Sequence, residues 1–391
     1  MKKAFITLTV FSTLFALASC DKKTAFNYIY YTVDQYALVS QYLNLPDSPV
    51  DYSVTLPDNL KHAGLFPTPV SSEKALLGRV LFYDKHLSSD GTVSCASCHK
   101  QELAFSDNAV TSKGVQNQVG VRNSLALGSV ANFSAYYGTD LFGSSAIRYF
   151  WDNRAATAVE QCTAAMNNPK EMNMTGDDIV KAVQQQPYYR PLFDKAFGNE
   201  FVSFDKVTDA IANFINSLGS YHSRFDEGAA ANIPNAPYTN PFYSNFNASE
   251  NRGKGIYISN CASCHTYDMG RPVISNSNNG LQAQTTDAGV GGNTGLASDL
   301  GTFKVPTLRN ITLTAPYMHD GSLKTLEEVI EHYNSGIQAH PNLASTLKDQ
   351  SGKPLKMNLS NTDKEDLIAF LGTLRDDKLL TETRFSDPFK H

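Results

Sequence analysis

The stretch Cys95-Ala96-Ser97-Cys98-His99 recurs as Cys261-Ala262-Ser263-Cys264-His265. Two thiols three positions apart, followed at once by an imidazole, form the attachment pattern of a c-type haem. The thiols add across the two haem vinyl groups, so their spacing sets both sulfurs along one edge of the porphyrin. The next residue then reaches the iron as proximal ligand. Here the ligands would be His99 and His265, with thioethers from Cys95, Cys98, Cys261 and Cys264. The same residue types can bind zinc, the pentads sharing one ion or each finding further ligands. They can also work as a redox disulfide. Two complete pentads, one in each half of the chain, favour two haems.

The rest of the chain is ordinary globular sequence. At ~100–200 residues per domain, 391 residues point to two domains, each large enough to bury a core without disulfide staples. The formal charge is 33 − 38 = −5, with the signs interspersed. No basic patch of the kind nucleic acid needs is present, and a mildly acidic surface suits a basic soluble partner. Residues 1–20 differ: Lys2 and Lys3 precede an apolar run from Ala4 to Ala18, then Ser19 and Cys20. That is the make-up of an export signal, and it is shorter than the ~20 residues that span a bilayer. Leu17-Ala18-Ser19-Cys20 resembles the lipobox of bacterial lipoproteins. The resemblance implies cleavage before Cys20 and a lipid anchor there as the sole membrane attachment; ordinary signal cleavage is the alternative. Cys162 is the one cysteine outside these groups, and reads as a buried free thiol.

The elements that must position the pentads read as mainly α, in two cytochrome c-like haem domains with long loops. Residues 21–70 are rich in Tyr and Pro, lack a strong period, and read as an extended lead. A helical pattern starts at Ser71, ahead of the first pentad. Further helices are expected over 157–166, from 175 to before Pro187, and over 205–225, where Val207, Ile211, Phe214 and Leu218 share one face. Pro234, Pro237 and Pro241 mark residues 228–248 as a linker. It separates a first haem domain over 71–227 from a second over 249–391. A helix leads into the second pentad, residues 270–302 form a Gly- and Asn-rich loop, and helices near 325–334 and 361–375 close the chain. Outside the pentads the two halves show little similarity.

From about Ser71 to Ala369 the chain resembles the bacterial di-haem cytochrome c peroxidase and MauG family. The resemblance is carried by Leu81-Phe82-Tyr83-Asp84, Gly120-Val121-Arg122-Asn123 and Phe150-Trp151-Asp152-Asn153-Arg154-Ala155. It continues in Glu160-Gln161, Asn168-Pro169-Lys170-Glu171-Met172, Val305-Pro306-Thr307-Leu308-Arg309-Asn310 and Thr314-Ala315-Pro316-Tyr317-Met318-His319-Asp320-Gly321. An insertion lies around 134–147. The resemblance implies that hydrogen peroxide meets the first haem and that the second relays electrons from a small redox protein, such as a c-type cytochrome or cupredoxin. Glu171 would be the distal acid–base group and Gln161 a second polar group of that pocket. Trp151 would bridge the haems. Asn123, Thr314 and Pro316 would hold a calcium ion between the domains. It also implies a periplasmic location and admits a homodimer.

Two positions depart from the usual peroxidase of this family. Val115 stands where many members carry a His that caps the peroxidatic iron, so the first iron is expected to be open, with Met166, Met172, Met174 and His222 as alternative ligands. In the helix over 325–334, Thr325 and Glu328 form a capping box. Tyr333 falls on its apolar face and His332 on its polar face. Tyr333 occupies the position of the Met ligand of the second iron, and MauG-type proteins also carry Tyr there. His332 and Met318 are the alternatives. Three functions follow: a peroxidase, a MauG-like enzyme that oxidises a side chain of a partner protein, and a di-haem electron carrier.

Overall fold

The structure, a computed structural model, describes residues 30–62, 65, 67–128, 148–233, 240, 242–270 and 272–391. The leader with Cys20, the insertion around 134–147 and the three linker prolines lie outside the described residues.

Helix Ser72–Tyr83 starts where the Ser71 hydroxyl accepts the Lys74 N–H, 3.3 Å away. Its buried side chains include Leu76, Leu77, Val80 and Leu81. It crosses helix Phe204–Ser217 at Gly78, where a Cβ would lie 1.9 Å from Ala210 O. Only glycine permits so close an approach of two backbones. One turn on, Phe82 meets Phe214 with ring centroids 5.1 Å apart.

The second half repeats this device. Helix Ala248–Asn260 crosses helix Asn361–Gly372 at Gly253, where a Cβ would lie 1.9 Å from Asp366 O. One turn on, Tyr257 meets Phe370, again at 5.1 Å. Residues four apart share a helix face, so glycine-then-aromatic at that spacing sets both crossing and packing. The likeness of the halves therefore extends beyond the pentads.

The fold is mainly α, as expected. Thr157 and Thr175 cap helices Ala158–Asn167 and Gly176–Gln185. Among the described residues the sheet is one antiparallel pair of two-residue strands, β1 (Asn276–Ser277) and β2 (Phe303–Lys304), with Asn276 opposite Lys304. One core gathers Leu76, Phe82, Phe105, Tyr189 and Phe214. A second gathers Phe225, Tyr243, Tyr257 and Phe370. The C-terminal segment returns to the first core. Phe385 is buried in it, and Phe385 O accepts the Tyr83 hydroxyl at 2.8 Å.

Two expectations need correction, and one helix is additional. The helix over 205–225 is two helices, Phe204–Ser217 and Arg224–Ala231. Leu218 leaves helical geometry at ψ 62°, the Ser217 hydroxyl donates to Phe214 O at 2.6 Å, and Ser223 with Asp226 caps the next helix. Such side-chain hydrogen bonds compete with helix continuation. The lead is not all extended: Val33–Tyr42 is a helix with a Thr32/Gln35 capping box. Helix Tyr189–Phe197, with Pro191 tolerated in its first turn, was not foreseen.

Candidate functional site

Each pentad forms a single helical turn. The His99 N–H donates to Cys95 O and the His265 N–H to Cys261 O, both at 3.0 Å. His99 Nδ1 lies 3.0 Å from Phe105 O, and His265 Nδ1 lies 3.0 Å from Pro306 O. A carbonyl only accepts, so Nδ1 carries the hydrogen and Nε2 keeps its lone pair for a metal. Burial pulls both imidazoles below their ordinary pKa, which favours the neutral form. Cys95, Cys98 and His99 line one cavity of about 350 Å³. Cys261, Cys264 and His265 line another of about 240 Å³. The pentads open into separate cavities and do not converge on one zinc ion. Two thiols and one imidazole lone pair on the wall of each cavity fit a covalently attached haem.

Another part of the His99 cavity wall comes from helix Ala158–Asn167, which carries Gln161, Cys162 and Met166, and from the turn after it, which carries Glu171 and Met172. Asn168 Nδ2 donates to Glu171 Oε1 at 2.7 Å. Burial pushes the Glu171 carboxyl above its ordinary pKa, and the Asn168 hydrogen bond and the Arg154 charge partly offset this. Cys162 is a buried thiol on the same wall, with Sγ 3.8 Å from Gln161 Oε1.

Val115 is buried, and its backbone N–H donates to Glu171 O at 2.9 Å. At neighbouring Gly114 a Cβ would lie 2.1 Å from Lys170 O. The loop over 112–120 thus seats directly on the turn that holds Glu171. His99 is the sole histidine among the described residues lining this cavity. His222 is excluded as a ligand: it is half-exposed, 3.6 Å from Asp376. Met174 packs on the first core and does not line the cavity, whereas Met166 and Met172 do.

In the His265 cavity the α-helix Leu326–Glu331 has its Thr325/Glu328 capping box but ends earlier than expected. It continues as a wider π-turn, His332–Gly336. The change of pitch rotates His332 inward. It is buried, with Nε2 3.1 Å from Asn279 O, rather than facing the polar side. Tyr333 and Met318 line the cavity and His332 does not. Asn279 Nδ2 lies 3.4 Å from the Tyr333 hydroxyl and 3.3 Å from Met318 Sδ. Burial pushes the Tyr333 phenol up to about 12, against the pull of Asn279.

Asn123, Ser124, Leu125, Ala126, Trp151 and Lys304 line both cavities. Trp151 Nε1 donates to Asn123 O at 2.9 Å, and the Lys304 N–H donates to Trp151 O at 2.7 Å. Trp151 therefore stands in the wall between the two sites. Asn123, Thr314 and Pro316 all border the His265 cavity. Asn123 Nδ2 donates to Ala109 O at 3.0 Å and to Val110 O at 3.3 Å. Its amide oxygen is thus the atom left for a cation. Side-chain and carbonyl oxygens of this kind are calcium donors.

The family profile described as di-haem cytochrome c peroxidase matches residues 72–232, and that described as cytochrome c matches residues 250–375. The cytochrome c551 peroxidase of Nitrosomonas europaea is 35% identical over 272 residues, 68% of this chain and 73% of its own. The chain belongs to the di-haem cytochrome c peroxidase and MauG family. The methylamine utilization protein MauG of Methylophilus methylotrophus is 30% identical over 344 residues, 83% of this chain and 90% of its own. The crystal structure of a MauG-like protein associated with microbial copper homeostasis matches with a TM-score of 0.67 at 30% identity, covering 88% of this chain and 99% of that one. The enzyme is thus a peroxidase-type oxidoreductase with two c-type haems. No helix among the described residues is long and apolar enough to cross a membrane.

Sequence reasoning missed three residues of these walls: Asn168, Asn279 and Lys304. Asn168 stands in the same motif as Glu171, but nothing in that motif marks it as the partner of the carboxyl. Asn279 lies in a loop whose composition carries no positional signal. Lys304 directly precedes the Val305-Pro306 motif, and nothing local marks it as buried.

Proposed function

We propose that the enzyme reduces hydrogen peroxide to water in the His99 cavity, with electrons from a small redox protein entering through the His265 side. The observation that carries this reading is Glu171, a half-buried carboxyl held by Asn168 on the wall of the cavity that His99 lines. When bound, the first haem supplies the iron at which peroxide is held and reduced. The chain's own part is proton handling. The Glu171 carboxylate takes a proton from one peroxide oxygen and returns it to the departing one, a positioned acid–base step worth ~10²–10⁴-fold. Two electrons and two protons then complete two waters. The Gln161 amide orients the peroxide. Trp151, between the cavities, would carry the electrons, and Tyr333 would help hold the second iron.

Tyr333 on the second wall also favours another reading, MauG-like oxidation of a side chain in a partner protein. A phenolate ligand favours the ferric and higher-valent states of an iron. Steady-state consumption of peroxide with a reduced c-type cytochrome separates the two. Sustained turnover supports the peroxidase. Peroxide consumption that needs a protein substrate and proceeds without the cytochrome supports the alternative. We further propose export, an acyl anchor at Cys20, and calcium at Asn123, Thr314 and Pro316. Chelation that leaves electron exchange between the haems unchanged would remove the calcium.

A further inference from the structure

Lys304 is the one ionisable side chain shared by both cavity walls among the described residues. It sits on β2, paired across the ladder with Asn276, and its backbone N–H is tied to Trp151 O. The residue is 9% exposed. Among the described residues its ammonium has one hydrogen-bond partner, the neutral carbonyl of Arg148, at 2.7 Å. A buried ammonium is costly unless an anion faces it. Burial alone lowers Lys304 to about 8, as expected of a cation short of a counter-charge.

Two arginines that also line these cavities already have theirs. Arg122 is paired with Asp152 and Asp287, and Arg309 with Asp226. No described carboxylate borders the His265 cavity, and Glu171, held by Asn168, is the sole one on the His99 cavity. Each cavity fits a haem, and each haem carries two propionates.

We propose that Lys304, set in the wall common to both cavities beside Trp151, is a shared positioning residue whose ammonium faces haem carboxylates on both sides and raises the reduction potentials of both irons together. The proposal rests on haem binding and not on peroxide reduction, so it can be tested even if peroxide turnover is absent.

The test is potentiometry of the haem-loaded protein with Lys304→Gln, which keeps a donor for Arg148 O but loses the charge, and Lys304→Arg, which keeps the charge. Removing a positive charge favours the ferric state. For Lys304→Gln, at a fixed ambient potential, the ferric-to-ferrous ratio of each haem should rise by about tenfold, which is ~59 mV for a one-electron couple. Lys304→Arg should hold both potentials near wild type, with two covalent haems per chain in each variant. A Lys304→Gln protein in which only one potential falls, or neither does, overturns the proposal. If Lys304→Gln fails to load haem, Lys304→Arg decides: a fall of both potentials despite the retained charge overturns it as well.

Discussion

Around His99 the cavity wall carries a half-buried carboxyl, Glu171, an amide, Gln161, and no further histidine among the described residues. Around His265 it carries a phenol, Tyr333, and a thioether, Met318, with no carboxylate. The frames behind these walls are alike. Each has a pentad in one helical turn, an imidazole fixed by a backbone carbonyl, and a helix crossing at glycine with an aromatic pair one turn on. The repeated part of the molecule holds the cofactor, and the unrepeated part decides what each site can do. In the proposed function, the carboxyl suits the first site to peroxide, and the phenol suits the second to electron relay.

The largest expected effect breaks this comparison at its chemical end. Glu171→Gln should lower peroxide turnover by ~10²–10⁴-fold with two covalent haems retained. Steady-state kinetics with a reduced c-type cytochrome checks this, and near-wild-type turnover would assign the proton transfer elsewhere.

The next effect tests the likeness of the frames. Gly78→Ala and Gly253→Ala each place a Cβ 1.9 Å from a carbonyl oxygen of the facing helix. Each should destabilise the protein by at least the ~1–3 kcal/mol typical of overpacking, read from the denaturant midpoint. If one substitution is harmless, the two crossings are not equivalent.

A smaller effect sharpens the acid–base role. The Asn168 hydrogen bond lowers a Glu171 pKa that burial raises. In the proposed function the carboxylate is the base, so activity is expected to be lost as pH falls through the folded-state pKa. Asn168→Ala should push that pKa further up and move the acid limb of the pH–rate profile to higher pH, with a change in rate at alkaline pH well under the ~10²-fold floor for losing the base itself. An unmoved acid limb would show that another group sets it. The smallest effect on turnover belongs to Tyr333→Phe, which should change the spectrum of the second haem and leave that of the first as it was.

Much of the frame is legible in the sequence because it is local. The pentads declare themselves by spacing, Thr325 with Glu328 announces a helix start, and the apolar period puts Tyr333 inward. What the sequence hides is set by distant partners or by breaks that keep the period. Leu218 and Phe225 continue the apolar stripe of Val207, Ile211 and Phe214, so the interruption between Ser217 and Arg224 leaves no trace in the pattern. The π-turn at His332 likewise alters pitch without altering composition. Glu171 could be singled out only through the family resemblance, since its chemistry depends on Asn168 and on burial that no short stretch encodes. Lys304 needed both cavities in view at once.

The central claim is that the first iron alone is open to a small reactant. Cyanide titration of the fully oxidised, haem-loaded protein tests it most directly. The account predicts one cyanide bound per chain, at the haem of His99, with the second haem's spectrum unchanged and with Val115→His blocking uptake until the protein is reduced. Binding at the haem of His265, or no binding before reduction in the wild-type protein, would contradict it.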